Sequence, residues 1–206
     1  MYINQLFEDS TLLSRDDANH DNFLDIISPK ILHISTHGEY VDSDQLMENG
    51  RLCLSGYNKT DSGYVTAAEI QDMDLTDTEL VVLSACQTGQ GKSIGGEGVY
   101  GIRRAFELAG AKTLLLTVEE IDDYNAALFM KIFYQYYKKS RNAMQSYQET
   151  QLYLSNYQNG IKELIQFKED FKNYLKEEIH PTTLKMKLIQ LDNRIKECRA
   201  QKKMLK

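Results

Sequence analysis

The run Leu80-Val81-Val82-Leu83-Ser84-Ala85 constrains this chain more than any other segment. It is short for a helix and apolar on both faces, the pattern of a central strand in a parallel sheet covered by helices. A second run, Ile31-Leu32-His33-Ile34-Ser35-Thr36, has the same character and is expected to end at His37-Gly38. Residues 112–118 predict a third buried strand, and residues 51–55 alternate as a shorter one. Thr66 followed by Glu69 predicts a capping box opening a short helix. Residues 99–109 predict a helix stopped by Gly110, and residues 122–139 a longer one. Strands alternating with helices over residues 20–140 predict an α/β fold, a mostly parallel sheet flanked by helices. No strand is expected upstream of residue 20.

Beyond about residue 140 the pattern is helical only. Breaks are expected at Asn159-Gly160 and at His180-Pro181. Leu164, Phe167, Phe171 and Tyr174 recur at helical spacing, as do Leu184, Leu188, Leu191, Ile195 and Cys198. This predicts a helical hairpin or coiled-coil tail. Residues 1–158 are expected to form one domain and residues 159–206 a basic helical tail.

Charge separates the same two regions. Residues 1–160 hold 12 basic and 23 acidic residues, a net −11, whereas residues 161–206 hold 12 basic and 7 acidic, a net +5. An acidic body repels phosphate backbones, so nucleic acid is not an expected partner. The basic tail suits an acidic partner, self-association or docking on its own body. No apolar run is long enough to span a membrane, and the first thirty residues lack the basic-then-apolar order of a signal peptide. A soluble, cytoplasmic protein is expected. The three cysteines, Cys53, Cys86 and Cys198, form no C-x-x-C pair, which argues against a disulfide framework or a zinc site. No cofactor and no metal are expected.

Two predicted strands end in a reactive residue, His37 after one and Cys86 after the other. Ligand crevices of parallel sheets lie beyond the carboxyl ends of the strands. If the two strands are neighbours, a thiol that can attack and an imidazole that can take its proton emerge side by side. Gly38 follows the histidine, and Gly89 and Gly91 follow the cysteine. The backbone amides of Gly38 and Cys86 are the candidate oxyanion hole. Each residue alone is more often a packing residue; their joint placement beside glycines favours catalysis. Cys53 and Cys198 are expected to be packing residues. The Gly89-to-Gly98 stretch lacks the phosphate-loop pattern and predicts a mobile cleft loop.

Several local sequences carry a resemblance. Leu32-His33-Ile34-Ser35-Thr36-His37-Gly38 resembles the L-H-I-[AS]-T-H-G signature of CHAT domains, bacterial relatives of caspases and separases. Leu83-Ser84-Ala85-Cys86-Gln87-Thr88-Gly89 resembles their L-S-A-C-x-T-G, and the stretch from Gly96 to Ala111 their G-E-G-V-x-G-[LI]-x-R-A-F-x-x-A-G-A. Ile121-Asp122-Asp123 is similar to the V-D-D that follows the next strand. The resemblance runs from about residue 15 to about residue 155.

It implies a caspase-like fold and a cysteine endopeptidase acting on a protein substrate, with Cys86 as nucleophile and His37 as general base or acid. It also implies a regulatory or tetratricopeptide-type protein partner. His33, in the same signature, is expected to be a packing histidine turned away from His37. Glu119, Glu120, Asp122 and Asp123 fall near the implied cleft. They are candidates for an acidic pocket taking a basic P1 side chain; the alternative is helix capping by Asp122 and solvated glutamates. The competing overall reading is an inactive CHAT-like scaffold module, or half of a split protease. Acyl transfer or another thiol hydrolysis shares the same nucleophile chemistry.

Overall fold

The apolar runs at residues 31 and 80 pair with each other as adjacent parallel strands. In a computed structural model the described residues are 3–40, 50–57, 63–87, 97–117, 123–175 and, in the tail, 190–193, 195, 196 and 199. The chain separates into two compact units, Asp9–Ile121 and the set formed by Met1–Glu8 with Asp122–Lys206.

The Asp9–Ile121 unit carries the sheet. Its elements in order are helix α1 (His20–Leu24), strand β1 (Ile31–Tyr40), strands β2 (Gly50–Cys53) and β3 (Tyr64–Thr66), helix α2 (Ala67–Ile70), strand β4 (Leu80–Gln87), helix α3 (Glu97–Leu108) and strand β5 (Leu114–Leu116). The strand order is β3-β2-β1-β4-β5. β1, β4 and β5 are parallel, and β2 and β3 add to the β1 side antiparallel. The α/β fold with a parallel centre is therefore as expected, extended by an antiparallel pair. Upstream of α1 the described residues form two 3-10 turns and no strand.

Pleating sorts the side chains. Leu32 and Ile34 of β1 lie in register with Val81 and Leu83 of β4. Residues in register share a face, and these four are buried together with Ile102, Ala105 and Phe106 of α3. Phe106 and Ala105 have no exposed surface. Leu80 and Val82, which alternate with Val81 on β4, are fully buried too, so β4 is apolar on both faces as its sequence requires.

Local signals act as their chemistry dictates. Thr66 accepts from the Glu69 amide at 3.3 Å, and Glu69 Oε2 accepts from the Thr66 amide at 2.8 Å, completing the capping box of α2. Gly110, at φ +103°, ends α3. The Gly110 amide donates to Glu107 and the Ala111 amide to Phe106, the paired bonds of a Schellman stop. A Cβ at Gly110 would also press on the Thr76 backbone, 3.0 Å away.

The other oxygen of Glu69 holds α1. His20 Nε2 lies 2.8 Å from Glu69 Oε1 and Nδ1 lies 3.1 Å from Asp21 Oδ1. Asp21 and Glu69 together hold the His20 imidazolium above its usual range against burial. Burial pushes the Glu69 carboxyl up, but the Thr66 amide, the His20 ring and the Thr66 hydroxyl outweigh it and hold it down. A raised imidazole pKa stabilises the fold fully below the unfolded value of about 6.5, and the gain is lost as pH rises through the folded value. His20→Ala is therefore expected to lose about 0.5–1 kcal/mol at pH 5.5 and much less at pH 9. Urea unfolding at the two pH values measures this; an equal loss at both would show that His20 acts by packing alone.

The second unit is helical. Helix α4 (Asp123–Ser140), helix α5 (Ala143–Ser155) and helix α6 (Tyr157–Leu175) follow in sequence, with further helical residues at 190–193, 195 and 196. Leu128 and Ile132 of α4 are buried with Leu164 of α6 and Ile195. Lys168 of α6 bonds Asp192 of the tail. Lys131, almost fully buried, reaches Glu163 at 3.2 Å and Asp170 at 3.9 Å, and Tyr153 donates to Glu163 at 2.9 Å. Truncating one partner of so buried a pair strands the other charge.

Two expectations need correction. β1 does not end at Thr36, nor β4 at Ala85. β1 runs on to Tyr40 because residues 37–40 pair with residues 53–50 of β2, and β4 runs to Gln87 beside it. The helical break falls at Asn156 rather than at Asn159-Gly160, which lie inside α6. Asn156 leaves helical geometry at ψ 107°. Its oxygens then accept from the Gln158, Asn159 and Gly160 amides, starting the next helix. Phe171 and Tyr174 fall in α6, and the seam residues Leu184, Leu188 and Cys198, with His180-Pro181, lie outside the described residues.

Candidate active site

His37 sits next to the last parallel pair of the sheet. In the β1–β4 register His37 pairs with Cys86 and Gly38 with Gln87, where the ladder ends. His37 and Cys86 therefore occupy adjacent positions on neighbouring central strands at their carboxyl ends. Positions in register across a parallel pair share a face of the sheet. On β1 this face carries Ile31, His33, Ser35, His37 and Glu39, opposite the one that packs on α3. It opens toward the rim: His33 is half-buried, whereas Ser35 and His37 are exposed.

The sheet brings a second cysteine to the same row. Cys53 pairs with His37 from the other side, on β2. Cys53 is buried, with 3% of its surface exposed. Burial, reinforced by the Glu39 carboxylate, pushes its thiol up to about 11 although Arg51 opposes the shift. It is thus a protonated, enclosed thiol, unsuited to attack. The Thr36 hydroxyl donates to the Cys53 carbonyl and fastens β2 to β1 beside His37. Cys53 and Cys86 flank His37 on the two neighbouring strands, so their Cα atoms are about 10 Å apart, too far for a disulfide.

His33 corrects an expectation. It lies four residues before His37 on an unbroken strand, and residues an even number apart share a face. It is therefore on the His37 face rather than turned away. Burial lowers its pKa to about 4, which keeps it neutral and supports its reading as a packing residue.

A polar cluster that sequence reasoning missed stands one row further toward the rim. Glu39 Oε2 accepts from Arg51 Nε at 3.1 Å and Nη2 at 2.7 Å. The Arg51 guanidinium lies 3.7 Å over the Tyr64 ring, and Tyr57 meets Tyr64 edge-on at 6.0 Å. Burial and then the Glu39 charge raise the Tyr64 phenol. Alternation after His37 was enough to put Glu39 on its face. The pairing with Arg51 needs the β1–β2 register, which the sequence of the connection does not fix.

The remaining candidates are placed unevenly. Gly38 and Cys86, proposed for the oxyanion hole, both lie within paired strands. In a central strand successive amides face alternate neighbours. Amides that serve an oxyanion must therefore be those at the ladder's end, where Gly38 stands. Glu119, Glu120 and Asp122 lie outside the described residues, as do Gly89 and Gly91; Asp123 begins α4. Among the described residues no cluster of histidine, cysteine and carboxylate side chains could hold a metal ion. No helix among them is long and apolar enough to cross a membrane.

The family model for the CHAT domain matches residues 1–175. The chain belongs to the CHAT domain family. That makes it a caspase-like, peptidase-related domain, and the family match continues through both compact units into α6. Neither a curated protein nor a solved structure matches the chain.

Proposed function

We propose that this CHAT domain is a cysteine endopeptidase of the cytoplasm that cleaves a protein partner through Cys86 and His37. The observation that carries the reading is the pairing of these positions on adjacent parallel strands, with the His37 ring exposed at the rim. The charge separation between acidic body and basic tail favours a protein partner over nucleic acid.

The chemistry balances with these two residues. The Cys86 thiol gives its proton to His37, and the thiolate attacks the scissile carbonyl carbon. The carbonyl oxygen becomes an oxyanion that backbone amides would receive, with Gly38 at the ladder's end and Cys86 one row before it as the candidates. The C–N bond breaks as His37 returns the proton to the leaving amine, leaving a thioester. Water, deprotonated by His37, then attacks the thioester carbon. The acid product departs and the thiol is restored. Cys53 has the wrong properties for this sequence: it is enclosed, and burial, reinforced by the Glu39 carboxylate, keeps it protonated.

The test is the pH dependence of Cys86 alkylation by iodoacetamide, followed by peptide mapping. An imidazole partner extends thiolate reactivity well below the ordinary thiol range near 8.5. The wild-type profile is expected to reach at least one pH unit lower than that of His37→Ala. Superimposable profiles would mean that no dyad operates and that the domain serves as a scaffold.

A further inference from the structure

We infer that Arg51, fixed by Glu39 and Tyr64, is a subsite for a carboxylate of the substrate on the leaving-group side of the scissile bond. The inference rests on the Cys86–His37 reading and deepens it.

The strand order decides which side of the bond is meant. β1 lies between β4, which carries Cys86, and β2, which carries Arg51. His37 thus stands between the nucleophile position and Arg51. In thiol proteolysis the nucleophile meets the carbonyl carbon, while the imidazole must reach the departing nitrogen to protonate it. The peptide therefore runs from Cys86 across His37 toward β2, and residues following the scissile bond arrive over Arg51. Arg51 is on the His37 face of the sheet, since Cys53 pairs with His37 and Arg51 is two residues from Cys53. It lies diagonal to His37, about 7–8 Å away at the backbone.

The state of Arg51 decides the ligand. Its described bonds use Nε and Nη2, both to Glu39 Oε2. A guanidinium has five N–H donors in a rigid fork, so the Nη1 edge retains donors for a second acceptor. The side chain is 30% exposed, which keeps it within reach from solvent. One flat face is taken by the Tyr64 ring and one edge by Glu39, so the guanidinium is held in place before any ligand arrives. A planar carboxylate matches the open edge. A basic side chain does not: the Glu39 carboxylate is already occupied by Arg51.

Two sources supply a carboxylate there, an Asp or Glu side chain at P1′ or P2′, and the C-terminal carboxylate of a short leaving fragment. Incubation with a proteome-derived peptide library, presented with free and with amidated C termini, separates them. Cut sites are read by mass spectrometry for wild type, Arg51→Gln and Arg51→Lys. We expect acidic residues to be enriched about 10-fold at P1′ or P2′, the discrimination of a charge-assisted bidentate pair. Enrichment that survives amidation identifies the side chain; cuts confined to free C termini identify the terminal carboxylate. Arg51→Gln is expected to flatten the prime-side profile and leave the P1 profile unchanged, and Arg51→Lys to keep a weaker preference. A lysine-rich prime side in the wild type, or a flat one that is also indifferent to amidation of the C terminus, overturns the subsite while leaving the dyad standing. The same holds if the preference persists in Arg51→Gln. Absence of any Cys86-dependent cutting removes both.

Discussion

Cys86→Ala is expected to abolish peptide cleavage, with a rate loss of about 10,000-fold or more. His37→Ala is expected to lose nearly as much, because nucleophile and base act as a unit and their effects do not add. The double variant should be no worse than either single one. This non-additivity is the sharper prediction, since an independent contribution from each residue would multiply. Cys53→Ala provides the contrast. Cys53 flanks His37 as closely in register as Cys86 does, yet burial and the Glu39 carboxylate hold it as a thiol. Its removal is expected to change cleavage less than about 10-fold and to cost stability through packing instead. Turnover of a peptide library by the four variants, with folding checked by circular dichroism, settles the assignment. Cleavage that persists in Cys86→Ala but fails in Cys53→Ala would reverse it.

The second large effect concerns the layer beneath the site. Phe106 is fully buried on α3, against the face of the sheet opposite His37. Phe106→Ala removes a ring from a close-packed cluster that contains Leu32, Ile34, Val81 and Leu83. The expected cost is about 3–5 kcal/mol, because lost transfer free energy and the remaining cavity add. That is a large share of the 5–15 kcal/mol typical of a domain. Thermal unfolding should show a midpoint lower by roughly 10 °C or more. Leu108, on the same helix but 51% exposed, is the control, and Leu108→Ala should cost little. A loss below 1 kcal/mol at Phe106 would mean that α3 does not seal the sheet as described. Such a protein would not hold β1 and β4 rigidly enough to fix a dyad.

The legible part of the fold was the part with a local cause. β1, β4 and β5 announced themselves as short apolar runs, and the Thr66–Glu69 capping box and the Gly110 stop are built from residues close in sequence. Their chemistry needs no knowledge of the rest of the chain. The two strands that carry His37 and Cys86 were legible for the same reason, and the local signatures supplied the family.

What stayed hidden depends on partners distant in sequence. That β1 continues to Tyr40 follows from β2 lying alongside it, and nothing in His37-Gly38-Glu39-Tyr40 states where β2 will be. The same missing register concealed the Glu39–Arg51–Tyr64 cluster. Asn159-Gly160 carries the stronger local break signal because it holds a glycine, whereas the break at Asn156 depends on bonds to the helix that follows. In the structure the Asn156 oxygens receive the first amides of α6, and Gly160 is carried along inside the helix. The placement of His33 was a matter of counting: an unbroken pleat from Ile31 to Tyr40 puts it on the His37 face.

A crystal structure of the chain reacted with a peptide aldehyde shows whether Cys86 and His37 work as a pair. It should reveal a covalent bond from the Cys86 sulfur to the aldehyde carbon, with a His37 ring nitrogen within about 4–7 Å of that sulfur across an open groove. Electron density joining the inhibitor to Cys53, or a Cys86 sulfur and a His37 ring on opposite faces of the sheet, would contradict that pairing.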